Sequence, residues 1–220
     1  MPASDSLQCN CIEQEAEMRQ ILLLARRFVR WEIDMWVSLA WAIARRADTS
    51  DGAPIRYAGA MSAVLWAFVI VSAVEIPAMH LLIPWAPVRL AALALGAWGL
   101  LWVLGLLAAH HMYPHLLAAE HLRLRYLRRA ELAVPLAAVR AVRGDLRAYD
   151  DSKSLHRTEN GIIALPVGSS TNVRVDLTAP HTFTTAHGEL TSETIAFWAD
   201  DPRAAIAEIR AALPKQRSEA

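Results

Sequence analysis

The chain has only two cysteines in 220 residues, Cys9 and Cys11. They are too few and too close together to staple a fold. A C-x-C pair also supplies just two of the four ligands that a structural metal site needs, so free, reduced thiols are expected. Net charge is absent as well: 22 basic residues balance 22 acidic ones. That excludes a molecule built as a whole to bind nucleic acid, and there is no aromatic stacking platform or recognition motif to do it locally. P-loop, dinucleotide, G-x-S-x-G and H-E-x-x-H patterns are all missing. Ser169, Ser170 and Thr171 follow a glycine, but no base can be paired with them. The expectation is therefore no enzyme, no catalytic residue, no cofactor and no metal. Met1 to Gln8 lacks the basic start and apolar run of a secretory signal, and Cys9 is not a plausible lipidation site. Membrane insertion is expected to rely on internal segments.

Apolar residues are abundant, at 55% of the chain. The run from Tyr57 to Val74 is uncharged and follows Pro54, which suits a first helical turn. Extended past Glu75 to Met79, it reaches the roughly 20 residues that cross a hydrocarbon core. A second uncharged run covers Leu90 to Ala109, between Arg89 and the pair His110 and His111. Pro77, Pro84 and Pro87 are expected to interrupt the helix between them, with Trp85 at a membrane interface. Residues 54–112 thus read as a transmembrane hairpin with spans of about 57–79 and 89–110. Arg45, Arg46 and Arg56 precede it, Arg123, Arg125, Arg128 and Arg129 follow it, and only Arg89 lies in the turn. Basic residues favour the inner side, so both termini are expected to be cytoplasmic in a plasma-membrane protein.

Residues 1–17 read as a flexible N-terminus. From Met18 to Arg46 a polar stripe of Arg19, Arg26, Arg30, Asp34, Ser38 and Arg45 recurs at helical spacing. The leading reading of 18–53 is an amphipathic interfacial helix with Phe28, Trp31, Trp36 and Trp41 dipping inward, followed by the linker Asp48 to Ala53. A helix packed on the protein itself, or an unusual third span, are the alternatives.

After Pro114 the period changes to two. Leu122, Leu124 and Tyr126 alternate with Arg123 and Arg125, and Val173, Val175 and Leu177 repeat the pattern. Further strands are expected at 130–134, 139–146, 161–165, 181–185 and 194–198, with an exposed loop at 150–160. Asp201 then caps a helix that has Pro202 in its first turn and Ala205, Ile206, Ile209, Ala212 and Leu213 on its apolar face.

This order of elements resembles the bacterial pleckstrin-homology-like domains. The segments that carry the resemblance are HLRLRYLRRAELAVPLAAV at 121–139, TNVRVDL at 171–177 and IAFWADDPRAAIAEI at 195–209. With VSAVEIPAMHLLIPWAPVRL at 71–90, the chain from about residue 57 looks like a group of uncharacterised actinobacterial membrane proteins with two spans and such a domain. The resemblance implies an α+β membrane protein. Its residues 113–214 would form a pleckstrin-homology-like β-barrel or sandwich capped by a C-terminal helix, with 215–220 as a tail. It implies no particular ligand.

Four groups of residues are candidates for function. His110, His111, His115, Glu120 and His121 could share a metal or sense pH, but Pro114 disfavours one continuous helix there, and a wet interfacial hinge is the plainer reading. Glu75 is a carboxylate within a span, which is costly and by default suspect, though it lies near the non-cytoplasmic end. Ala92, Gly96 and Gly99, with Gly105, offer small positions for helix packing, either within the hairpin against Ala63 and Ala67 or between copies. Arg123, Arg125, Arg128 and Arg129, with Arg140, Arg143 and Arg147 beyond them, could contact anionic lipid headgroups at on the order of 1 kcal/mol each. The leading function is a non-enzymatic membrane-anchored module that binds lipid headgroups or a protein partner. The alternative is a subunit of an oligomeric transport or channel-like assembly that uses Glu75.

Overall fold

The computed structural model describes residues 3–44, 52–127, 130–150, 154–185 and 188–214, and side chains from residue 18 onward apart from 27 and 28. The first element is one long helix, α1 (Ala3–Ile43). No glycine or proline occurs between Ala3 and Gly52 to break it. Residues 3–17 belong to this helix, which starts well before the Met18 expected from the polar stripe.

Two helices follow, α2 (Gly59–Leu82) and α3 (Ala86–Met112), both long and apolar enough to cross a membrane. Most of their side chains are exposed, as suits surfaces that face hydrocarbon rather than protein. Pro77 does not end α2: it removes one bond from the helical ladder, and the helix runs on to Leu82. The break comes at Ile83, held extended because Pro84 follows it. Pro87 then sits in the first turn of α3.

The helices pack through small residues. A Cβ on Gly96 would stand 2.8 Å from Ile76 Cγ1, so this glycine lets α2 and α3 approach each other. A Cβ on Gly105 would stand 2.9 Å from the carbonyl oxygen of Met35, so that glycine admits α1 instead. Trp31 meets Trp102 edge-on at 4.7 Å, and Met35 and Ser38 are buried. From Met18 to Arg30 the described side chains of α1 are all exposed. Thus α1 is a packing helix in its last third, with an unpartnered upstream part.

Nine strands form two sheets among the described residues. The first has the order β1 (Ala53–Ile55), β2 (His115–Leu117), β3 (His121–Tyr126), β4 (Ala130–Pro135), all antiparallel. The second is built from β5 (Val139–Ala148), β6 (His156–Arg157), β7 (Ile163–Leu165), β8 (Ser170–Thr185) and β9 (Gly188–Phe197), in the order β5-β8-β9-β7-β6. Here β7 runs parallel to β9. The strands expected at 172–177 and 181–185 are one strand, bulged between Asp176 and His181 beside Pro180. Gly168 and Ser169, both at positive φ, make the tight turn into β8. They supply a turn rather than a nucleophile.

One core lies between the sheets. Leu122, Leu124, Leu132 and Val134 of the first meet Val173, Val175, Ile195 and Phe197 of the second, all essentially inaccessible. Each such side chain contributes on the order of 2 kcal/mol of burial. The final helix, α4 (Pro202–Ala212), adds Ala205 and Ile209 to this core, and the Arg210 guanidinium donates to the Val142 carbonyl oxygen. Asp201 caps α4 by accepting from the Ala204 N–H, as expected. The sheets do not close into a barrel. The 3-10 turn Leu136–Ala138 carries the chain round a corner from one sheet to the other.

The largest departure from expectation is β1. Residues 53–55 are a strand rather than linker and first helical turn, so Pro54 is an edge-strand proline and the helix begins only at Gly59. The sheet domain is therefore discontinuous in sequence, with the helical hairpin inserted between two neighbouring strands.

The packing at Gly105 and the open space around Gly99 predict opposite outcomes. Gly105→Val should separate α1 from α3 and cost about 1–3 kcal/mol by overpacking. Gly99→Ala meets nothing within 4 Å and should be tolerated. Near-ultraviolet circular dichroism of the Trp31–Trp102 pair, followed through unfolding in detergent micelles, distinguishes the two variants.

Candidate functional site

The strongest constellation of polar groups lies where the helices meet the sheets. It begins with the pairing of β1 and β2, Ala53 with Leu117, Pro54 with Leu116 and Ile55 with His115. This pairing draws the start of α2 and the end of α3 together. Gly52 makes it possible, because a side chain there would run into the Leu117 carbonyl.

His115 is 1% exposed, and both of its ring nitrogens are engaged. Nε2–H donates to the Trp198 carbonyl oxygen at 3.0 Å, and Nδ1 accepts from the Arg125 N–H at 3.0 Å. Those partners fix the neutral Nε2–H tautomer. The ring thereby bonds β2 to β3 and to the chain leaving β9, so one side chain ties the two sheets together. It stacks on Tyr57 at 4.7 Å and meets Phe197 edge-on at 5.2 Å. Burial lowers its pKa to about 4, against the weaker raising effect of its two backbone bonds.

Tyr57 is fully buried, and its hydroxyl accepts from the Leu127 N–H at 2.9 Å. Burial pushes the phenol well above its ordinary pKa, so it stays neutral. Leu127 holds a positive φ of 53°, rare for a residue with a branched side chain. That conformation turns its side chain into a second cluster with Met35, Ala109 and Tyr113. The Leu127 side chain is thus plugged between α1 and α3.

Asp200 completes the junction. Its carboxylate accepts from the Gly59 N–H, with both oxygens at 2.9 Å, and its own N–H donates to the Arg56 carbonyl oxygen at 2.9 Å. A carboxylate at a helix N-terminus satisfies an orphan donor and complements the dipole. A cavity of about 460 Å³ opens beside this clasp, between the first turn of α2, the last turn of α3 and the strand ends. Arg56, Ser62, His110, His111 and Asp200 supply its polar lining.

The expected histidine and acid cluster is dispersed. His110 and His111 each bond back to the helix, to the carbonyls of Leu106 and Leu107 at 2.9 Å. His115 is on β2, Glu120 is exposed in a turn and His121 begins β3. No group of three metal-ligating side chains occurs among the described residues.

Among the arginines, Arg125 is buried at 7% exposure and lies 3.8 Å from Glu131, while Arg123 donates to Glu131 at 2.7 Å. Cross-strand pairing with Glu131 on β4 is what engages them. This corrects the assignment of Arg125 to lipid headgroups and gives Arg123 a protein partner. Arg128 and Arg129 lie outside the described residues. Arg143 pairs with Asp176 at 3.1 Å. Burial alone would raise the Asp176 carboxyl, but Arg174, with Arg143 and Thr194, holds it below its ordinary range.

Glu75 is exposed, on a groove formed with Ile70, Val71 and Val74. Of the small residues, Gly96 serves the α2–α3 contact and Ala92 is half-buried, whereas Gly99, Ala63 and Ala67 are on the outside. Sequence alone gives Tyr57 and Asp200 no functional role, and Arg56 only one of orientation. The doubled acid Asp200–Asp201 was the available signal, since α4 needs only one of them as its cap.

The fold and junction define a mixed α+β protein with two long apolar helices joined end-on to a two-sheet domain. Comparison with protein-family models, curated proteins and solved structures finds no match to this chain.

Two measurements probe the junction. An unfolded histidine takes up a proton near pH 6.5, whereas His115 resists until about 4. Stability is therefore complete above pH 6.5 and falls on acidification by about 1.4 kcal/mol per pH unit, about 3 kcal/mol in all. His115→Asn should flatten that slope by one proton in denaturant titrations run from pH 7 to 4. Asp200→Ala removes the α2 cap and should cost about 1 kcal/mol at pH 7, while Asp200→Asn should cost less.

Proposed function

We propose that this protein is a non-enzymatic membrane-anchored module, with α2 and α3 as its transmembrane spans and the two-sheet domain presented at the cytoplasmic face of the plasma membrane for a binding partner. The observation that carries this reading is the bonding of the sheet domain to both ends of the helical hairpin. The β1–β2 pairing fixes both chain connections to the hairpin within the sheet, the Tyr57–Leu127 bond ties the residue leading into α2 to the sheet domain, and the Asp200–Gly59 bond ties α2 itself. A domain held at three places keeps a defined height and orientation above a bilayer, which a flexible tether cannot do.

The buried polar groups support a binding role over a chemical one. His115 commits both nitrogens to backbone groups, and Asn172 donates to the Ala199 carbonyl while accepting its N–H. Such groups specify a single docked arrangement. Arg56 before the hairpin, and Arg123 and Arg125 after it, favour the cytoplasmic side for the domain, with only Arg89 in the turn.

Distance measurement between paired spin labels tests the reading. Labels at Leu95 on α3 and Glu193 on β9, in nanodiscs and with Cys9 and Cys11 replaced by serine, should give one narrow distribution. A broad distribution for the otherwise unaltered chain would show a tethered domain and defeat the proposal. Protease cleavage of the sheet domain in inside-out but not right-side-out vesicles is the expected result for orientation.

A further inference from the structure

The upstream part of α1, residues 18–30, presents an apolar surface that no other element covers. Met18, Ile21, Leu22, Leu24 and Val29 are each more than half accessible. At roughly 100° per residue these five fall on one side of the helix, within an arc of about 160°. Arg19, Arg26 and Arg30 are exposed as well and fall on the other side, within about 40° of one another, with Leu23 beside them. An apolar face opposite a basic stripe is the pattern of a helix that lies in the plane of a membrane surface.

Three observations select that surface over other occupants. Arg19, Arg26 and Arg30 make no ion pair among the described residues, so their charge is available to a partner. Residues 18–31 contain four arginines and no acid. Two copies of the segment laid together would oppose like charges, and burying the stripe in hydrocarbon is costly. Among the described residues only α2 and α3 are apolar enough to span, and α1 is not. The third observation is one of level. Gly105, Leu107, Ala108, Ala109 and His110 at the end of α3 are buried in protein, whereas residues 86–104 are exposed or half-buried. That stretch is roughly 28 Å of helix, about the depth of a hydrocarbon core. Trp31 meets Trp102 near its end, and upstream of Trp31 the described side chains of α1 have no cover. α1 therefore parts from α3 where hydrocarbon gives way to headgroups.

We propose that residues 18–30 of α1 dock on the anionic headgroup layer of the cytoplasmic leaflet beside the hairpin. Arg19, Arg26 and Arg30 meet lipid phosphates, and the apolar side enters the first part of the acyl chains. The inference deepens the proposed function by naming anionic phospholipid as a partner, and it rests on reading α2 and α3 as spans.

The test uses the full chain, with Cys9 and Cys11 replaced by serine, in nanodiscs of phosphatidylcholine alone or mixed with phosphatidylglycerol. A spin label is placed at Ile21, on the apolar side, or at Gln20, on the edge of the polar side, and its collisions with oxygen and with a water-soluble nickel chelate are compared. In mixed nanodiscs Ile21 should favour oxygen, at about 5–10 Å below the phosphates, and Gln20 should favour the chelate. Phosphatidylcholine alone should lower the ratio of docked to released label at least tenfold, and so should Arg19→Gln, Arg26→Gln and Arg30→Gln made together. Lysine at the same three positions should keep the helix docked, which separates charge from any structural part the arginines play. Equal docking in the two lipid mixtures, or docking that survives the three glutamines, would overturn the proposal. So would spin–spin broadening between labels at Ile21, which reports a second copy on this face, or a preference for oxygen at both sites, which reports a further span. A chain that alkaline carbonate strips from vesicles would defeat the reading of α2 and α3 as spans and this inference with it. A chain that resists stripping but shows Ile21 and Gln20 equally open to the chelate would defeat the docking alone.

Discussion

The short antiparallel pairing of β1 with β2 is the constraint on which the rest of the molecule depends. Three residues before the first apolar helix lie beside three residues after the second. Closing that pair sets the separation of the helix ends and places Tyr57 against His115. It also brings the first turn of α2 within reach of Asp200. A strand of three residues has little stability alone. It persists because the side chains beyond it, Tyr57 above all, are buried and bonded to elements far away in sequence.

The junction is held by neutral polar groups rather than by ion pairs. A buried ion pair must recover the desolvation of two charges, whereas a neutral imidazole and a phenol need only find hydrogen-bond partners. His115 and Tyr57 find theirs on the backbone, where geometry is set by the sheets. The Asp200 carboxylate joins them by accepting from the Gly59 N–H, while the ion pairs lie elsewhere: Glu131 with Arg123 and Arg125 between β3 and β4, Asp176 with Arg143 and Arg174 on the second sheet. Backbone partners of this kind make the docked arrangement specific. Among the described residues, none satisfies the second nitrogen of the buried His110.

Much of the secondary structure was legible locally. The period-two run from Leu122 to Tyr126 and the Asp201–Pro202 start of α4 both emerge where expected, because each depends on neighbours within a few residues. The same alternation that revealed β3 misled on Arg125. It placed the side chain on the face away from the core, and the expectation was that this face would be open, yet Arg125 is buried there. β1 was invisible for a different reason. Ala53, Pro54 and Ile55 have no strand period of their own, and Pro54 read equally well as a helix start. α1 was placed correctly only from Met18, because the polar residues before it hid the absence of any breaker.

The sequence by itself determined the elements whose cause is short in range: two apolar runs of sufficient length, the alternating strands, the capped final helix. Tertiary structure alone decided which of these meet. It paired residue 53 with residue 117, set residue 200 on the N-terminus at residue 59, and gave Gly105 to α1 rather than to α2. Hydropathy and period record how each segment divides between apolar and polar surroundings. They do not record which partner completes a hydrogen bond across sixty or more residues, because that depends on the packing of the whole chain.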